Sequence, residues 1–189
     1  MRRLASSQDG AAVVEFALVA PVFLLALLGV FDLSYNMYTS SLLEGSIQKA
    51  ARDSSLEGAA SALDADVAET VRLIVPDADI QFTRSSYADY ADVSAPEDFT
   101  DINSDGRCDD GEPFEDVNGN AIWDADRGIA GFGGARDAVL YVVTVTYDRP
   151  FPVSGFVPGM SKRVTTTARA VLRNQPFGQQ TSIATVGNC

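Results

Sequence analysis

The chain has 189 residues, with 26 acidic against 14 basic side chains, no histidine and a net charge of −12. That balance, without a basic patch, excludes ordinary nucleic-acid binding, and the lack of histidine removes the usual zinc sites and the Ser–His and Cys–His couples of nucleophilic catalysis. The paired carboxylates fit metal-ligand spacing better than a glycosidase pair, so no enzymatic role is expected.

Residues 10–31 read GAAVVEFALVAPVFLLALLGVF, an apolar run with one carboxylate, Glu15. The stretch from Ala11 to Phe31 is long enough to cross a bilayer as a helix. Arg2 and Arg3 precede it and the next basic residue is Lys49. The positive-inside rule then puts the N-terminus in the cytoplasm and the rest outside the inner (cytoplasmic) membrane as a single-pass protein. A cleaved secretory signal would have a shorter core followed by an A-x-A site. Here the core runs into Phe31-Asp32-Leu33-Ser34-Tyr35 instead. An ionised side chain near lipid hydrocarbon is costly and calls for a partner, and a plain uncleaved anchor supplies none for Glu15.

A glycine placed before an apolar run, with glutamate five residues on, resembles type IV prepilins. More narrowly, Gly10-Ala-Ala-Val-Val-Glu15-Phe16-Ala17-Leu18-Val19-Ala20-Pro21 resembles the TadE/TadG-like family, minor pilins or pseudopilins of tight-adherence (Flp) pilus systems. The likeness covers the first quarter of the chain. Arg173-Asn174-Gln175-Pro176-Phe177 resembles that family's C-terminal part more weakly. The resemblance implies a leader over 1–10, cut by a prepilin peptidase between Gly10 and Ala11, which makes Glu15 the fifth mature residue and Phe16 the sixth. It also implies a role with other pilins in pilus assembly and surface adhesion. Cleavage would create an amine on Ala11. In apolar surroundings that amine and a neighbouring subunit's Glu15 each need the other, since an unpaired carboxylate there tends to protonate. Pro21 either kinks the helix or frees the Ala17 carbonyl for a packing role.

Past the membrane the helix is expected to continue to Glu57 and stop at Gly58, with Phe31, Tyr35, Tyr38, Leu42, Gly45 and Lys49 as its core-facing stripe. A second helix is predicted over Ala60–Val75, with Leu63, Val67, Val71 and Ile74 in register. Strand patterns follow at Ile80–Arg84, Ala138–Tyr147 and Lys162–Leu172, the last after a Pro/Gly-rich connection. The fold class is therefore α+β. A long N-terminal transmembrane and amphipathic helix packs on a small antiparallel sheet in a pilin-like extracytoplasmic domain, residues 32–177, with a polar, frayed tail over 178–189. No internal repeat of domain size is visible.

Half of the 26 acidic residues lie between Asp89 and Asp126, within an insertion over 89–128. Asp101-Ile-Asn103-Ser-Asp105-Gly106-Arg107-Cys-Asp109-Asp-Gly-Glu112 satisfies D-x-[DN]-x-[DN]-G-x5-E, the loop of EF-hand-like calcium proteins. Calcium takes six to eight oxygens. Asp101, Asn103, Asp105 and Asp109 would supply side-chain or water-mediated ligands, Arg107 its carbonyl, and Glu112 two oxygens. Magnesium suits such an all-protein cage less well. A looser copy follows with Asp116, Asn118, Asn120 and Asp124, departing at Ala121, where glycine is expected, and at Arg127, where the bidentate glutamate belongs. Adjacent ions sharing ligands, with Trp123 as an apolar plug, would accommodate it. A solvated acidic loop is the alternative for both copies.

Cys108 lies inside the first loop and Cys189 is the last residue; both fall on the oxidising side, where a disulfide and two free thiols are alternatives. Three functions remain: a minor pilin, an independent calcium-stabilised membrane-anchored adhesin or receptor module keeping its first ten residues, and, distantly, an anchored hydrolase.

Overall fold

The computed structural model describes residues 9–53, 60–173 and 184–189. Helix α1 (Asp9–Asp53) is followed by α2 (Ala60–Arg72) and six strands: β1 (Asp79–Tyr87), β2 (Pro113–Asp116), β3 (Ile129–Ala130), β4 (Ala138–Asp148), β5 (Arg163–Arg173) and β6 (Thr185–Asn188). Strands β3-β1-β4-β5 form an antiparallel sheet in that order, and β2 and β6 pair as a separate antiparallel ribbon. The fold is α+β, a long apolar helix on a small antiparallel sheet.

Strand β4 organises the core because its alternation is strict. Val139, Tyr141, Val143, Val145 and Tyr147 point inward and are buried. Onto them pack Leu43, Ile47 and Ala50 of α1, Leu63, Val67 and Val71 of α2, and Ala168 and Leu172 of β5. The opposite face is polar, with Thr144 against Thr167 at 3.3 Å and Thr146 against Thr165 at 3.1 Å. Such cross-strand hydroxyl pairs stabilise a sheet face open to water. Tyrosine hydroxyls pin the layers together: Tyr141 donates to Asp64 (2.7 Å), Tyr147 to Asn36 (2.7 Å) and Tyr35 to the Ile74 carbonyl (2.9 Å). Burial, then the Asp64 hydrogen bond, pushes the Tyr141 pKa far up, so it stays a neutral donor.

The predicted α1 stripe is out of phase with the structure. Tyr35 packs on the core, but Phe31 and Tyr38 are more than half exposed and Gly45 and Lys49 face outward. The buried face is Asp32, Thr39, Leu43, Ile47 and Ala50. Its first half is polar because each group there is satisfied: Arg149, far along the chain, bonds Asp32, and the Thr39 hydroxyl donates to the Tyr35 carbonyl one turn back in the same helix. Ile47→Ala should therefore lower unfolding free energy by about 2–5 kcal/mol. Lys49→Ala should change it by no more than about 0.5 kcal/mol. Urea unfolding of the detergent-solubilised chain measures both.

Other boundaries shift slightly. Helix α1 runs through Pro21 without a break, and the expected stretch to Glu57 with its stop at Gly58 lies outside the described residues. Helix α2 ends at Arg72, not Val75, and two further hydrogen-bonded turns deliver Val75 to the core. Strands β1, β4 and β5 fall where predicted, β1 extending to Tyr87. The expected frayed tail is corrected over residues 184–189: β6 pairs with β2 in register, Phe114 opposite Gly187. A Cβ on Gly187 would lie 2.5 Å from the Phe114 ring, so this close approach requires glycine. Residues 1–8 of the expected leader and Asn174–Phe177 of the weaker family likeness also lie outside the described residues.

Among the described residues one helix is long and apolar enough to cross a membrane, within Gly10–Arg52. Its N-terminal half stands clear of the domain, with Val13, Phe16, Leu18, Val22 and Phe23 exposed. An apolar surface this continuous has no place against water and suits single-pass anchoring in lipid.

Candidate functional site

The acidic segment folds as two loops joined by a short antiparallel pairing. Residues 97–100 run against β2: the Thr100 amide donates to the Pro113 carbonyl (2.9 Å), the Glu115 amide to the Asp98 carbonyl (2.8 Å), and Phe99 bridges Phe114. In that register Glu112 stands across from Asp101, and Glu97 across from Asp116. The Phe99 ring packs edge-on against Trp123, centroids 5.8 Å apart, and the Trp123 indole donates to the Glu97 carbonyl (2.8 Å). Trp123 thus holds the pairing segment against the second loop.

In the first loop, Asp101 accepts from the amides of Asp105 (3.2 Å) and Gly106 (2.9 Å), and Asn103 accepts from Asp105 (2.9 Å). Asp105 accepts from the Arg107 amide at 2.8 Å. Glu112 closes the loop from the far side, its Oε1 accepting from Ile102 (2.6 Å) and its Oε2 from Asp109 (3.5 Å). Ser104 and Gly106 take positive φ, 63° and 78°.

The second loop repeats this pattern. Asp116 accepts from Gly119 (2.7 Å), Asn120 (3.1 Å) and Ala121 (2.9 Å), Asn118 from Asn120 (3.0 Å), and Asn120 from Ile122 (2.7 Å). Asp124 Oδ2 accepts from the amide groups of Asn118 (2.6 Å) and Asn120 (2.7 Å). Gly119 and Ala121 take the same left-handed conformations, φ 75° and 61°, so Ala121 occupies the glycine position with some backbone strain. The closing role falls to Glu97. Its Oε1 accepts from Val117 (2.8 Å) and its Oε2 from Asp124 (3.0 Å), the same two positions that Glu112 holds in the first loop.

Glu97 is not legible from the linear motif, which places the closing carboxylate downstream, at Arg127. Arg127 instead clamps the segment, bonding the Pro96 carbonyl and pairing with Asp98 (2.9 Å) and Asp92 (3.4 Å). A signal was present. Glu97-Asp-Phe99-Thr-Asp101-Ile-Asn103 and Glu112-Pro-Phe114-Glu-Asp116-Val-Asn118 form a short internal repeat, E-x-F-x-D-[IV]-N. Each glutamate leads a strand into its own loop and, through the antiparallel pairing, closes the other loop.

Glu97, Glu112 and Asp116 are 1%, 2% and 3% exposed, and no basic side chain among the described residues pairs with any of them. Burying carboxylates without a counter-charge is costly. Desolvation, then repulsion from Asp105, Asp110 and Glu112, raises the Asp109 pKa, a mark of the same uncompensated charge. Among the described residues no three acidic side chains converge closely enough to hold a metal by themselves. A calcium-type donor set also draws on Asn103, Asn118, Asn120 and main-chain carbonyls, and in donor chemistry the two loops fit a hard, oxygen-seeking cation.

Cys108 and Cys189 are joined as a disulfide, Cα atoms 5.5 Å apart across 81 residues of sequence. The Cys189 amide donates to the Glu112 carbonyl (2.9 Å), and Thr185 reaches Asp116 at 3.5 Å. The disulfide and β6 thus brace the first loop and the glutamate that closes it. A cross-link over so long a segment acts chiefly by restricting the unfolded chain, typically by about 2–4 kcal/mol.

At the other end of the molecule, Gly10, Ala11, Glu15 and Phe16 lie in the first turns of α1 and are all exposed. Glu15 has no ion-pair partner among the described residues. Residues 10–52 match the family model described as TadE-like protein, the stretch on which the sequence resemblance rests. No protein of curated function and no solved structure matches the chain.

Proposed function

We propose that this chain, TadE-like over its N-terminal helix, is a non-enzymatic minor pilin or pseudopilin acting in assembly of a tight-adherence (Flp-type) pilus and in surface adhesion. A prepilin peptidase cuts between Gly10 and Ala11, and α1 anchors the product in the inner membrane with its sheet domain outside. The observation that carries this reading is a family match laid over an unburied apolar helix, whose one carboxylate, Glu15, has no ion-pair partner among the described residues. Other pilins of the same system supply that partner. N-terminal sequencing of the membrane-extracted protein tests the proposal. A start at Ala11 supports it; a start at Met1 overturns it in favour of the independent adhesin.

The outer domain carries calcium in this reading, one ion in each loop. Asp101, Asn103, Asp105, Asp109 and Glu112 serve the first with the Arg107 carbonyl. Asp116, Asn118, Asn120 and Asp124 serve the second with the Ile122 carbonyl and Glu97. Three buried carboxylates with no basic partner among the described residues support it, because bound divalent ions would supply the missing charge. The ions would have no reacting role; they would stiffen the acidic segment that the outer domain presents.

A further inference from the structure

We infer that the β4–β5 connection, Pro150–Ser161, is a second membrane contact, seated in the outer headgroup layer of the bilayer that α1 crosses; the inference rests on the membrane-anchored reading above. Between Arg149 and Lys162, which flank it at the strand ends, the connection reads PFPVSGFVPGMS without a charged side chain, in a chain that is 21% charged. Its tip is apolar and open: Phe156 is 64% exposed and Val157 36%.

That exposure is built into the fold. Pro152–Gly155 form a 3-10 turn whose Val153 is buried, and the Val153 carbonyl accepts from the amides of Phe156 (3.0 Å) and Val157 (3.1 Å). The Met160 amide donates to the Val157 carbonyl at 3.2 Å, closing the next turn. The tip is thus a compact, hydrogen-bonded structure presenting Phe156 outward.

Its position points to lipid. Phe151 stacks on Phe31, the residue that ends the apolar run, with ring centroids 6.1 Å apart. Arg149, at the loop's start, is paired with buried Asp32, the next residue of α1. Below Asp32, Leu25, Leu28 and Gly29 are partly covered while their neighbours are exposed. Residues 25, 28, 29 and 32 follow i, i+3, i+4, i+7 spacing and share one helix face, the face that meets the loop at Asp32. From Leu25 to Asp32 the helix rises about 10 Å, comparable to the depth at which apolar groups settle at the headgroup–acyl boundary. The loop therefore continues the apolar surface of α1 sideways at the level where the helix leaves the hydrocarbon. Two contacts, one spanning and one interfacial, would fix the rotation of the outer domain about α1.

The test places an indole on the tip of the full chain, Phe156→Trp, reconstituted in phosphatidylethanolamine–phosphatidylglycerol vesicles with brominated acyl chains. Wild-type emission from Trp123, far from the loop in sequence and set in the acidic segment, is subtracted. The added emission should be blue-shifted and lose most of its intensity to the brominated lipid. Val157→Trp serves equally if the first variant reconstitutes poorly. An introduced indole that emits as in water and is quenched by aqueous acrylamide overturns the proposal. Blue-shifted emission that ignores the lipid bromines and follows the protein-to-lipid ratio also overturns it, by assigning the tip to a second copy. Carbonate washing of the wild type separates the two readings. Release of the protein sinks the membrane reading and this inference together, whereas retention with a water-exposed indole sinks only the loop.

Discussion

Glu97→Gln should cut the calcium bound by the full chain from two ions to one in isothermal titration at millimolar calcium. The substitution keeps the side chain's size and its carbonyl but removes the charge and one acceptor oxygen from a site that is 1% exposed. Outward-facing calcium modules bind at about 10⁻⁴–10⁻³ M, so even a tenfold loss takes the second loop out of range. Glu112→Gln should remove the other ion by the same logic, and the double variant should bind none. The experiment separates this assignment from the linear loop motif, in which the residue at Arg127 closes the second loop. Arg127→Glu would complete that motif on paper. Because Arg127 is tied to Pro96, Asp92 and Asp98, the change should weaken the clamp without tightening calcium. Two ions bound with unchanged affinity by Glu97→Gln would remove Glu97 from the ligand set, and no heat from the wild type would remove calcium altogether. A parallel readout is stability. At roughly ten times Kd each ion adds about 1.4 kcal/mol, so the thermal midpoint should rise with calcium by a smaller step in either single variant.

The parts of this fold that a reader could take from the sequence are those whose signals are local. Helix α2 and strands β1, β4 and β5 carry their periodicity in consecutive residues, and each lies within a few residues of its expected limits. The α1 stripe failed for the opposite reason. Asp32 sits on its buried face because Arg149, more than a hundred residues away, pairs with it, and the Thr39 hydroxyl is satisfied by the Tyr35 carbonyl, so an apolar pattern points instead to Phe31, Tyr38 and Lys49. Strand β6 is only four residues long, and its Gly187 and Asn188 weaken the strand pattern of Thr185 and Val186, so its sequence reads as a tail. Its pairing comes from β2 and the link to Cys108. In the acidic segment the loop residues were legible from their two-residue spacing. Glu97 was not, because a short pairing of Asp98–Thr100 with Pro113–Glu115 carries it to the second loop.

Glu15→Ala should leave the protein in the membrane and nearly abolish pilus assembly. Membrane insertion depends on the apolar run and its flanking arginines, which the substitution leaves intact and makes slightly more apolar. In the proposed reading, assembly depends on a pair between chains: the amine freed on Ala11 by cleavage, and Glu15 of a neighbour. Removing one member of a buried ion pair costs about 3–5 kcal/mol, because the other charge stays in a low-dielectric setting without compensation. At about 1.4 kcal/mol per tenfold, each subunit contact would weaken by roughly two to three and a half orders of magnitude. Glu15→Gln should retain part of the assembly by keeping a hydrogen-bond acceptor. The pairing also predicts non-additivity. Blocking cleavage by substituting Gly10 withholds the amine, so adding Glu15→Ala to that variant should cause little further loss. Sheared pilus yield and carbonate-resistant membrane protein measure the two effects separately. Normal pilus yield from Glu15→Ala would falsify the pairing, and full additivity with the Gly10 variant would show that Glu15 acts on something other than the Ala11 amine.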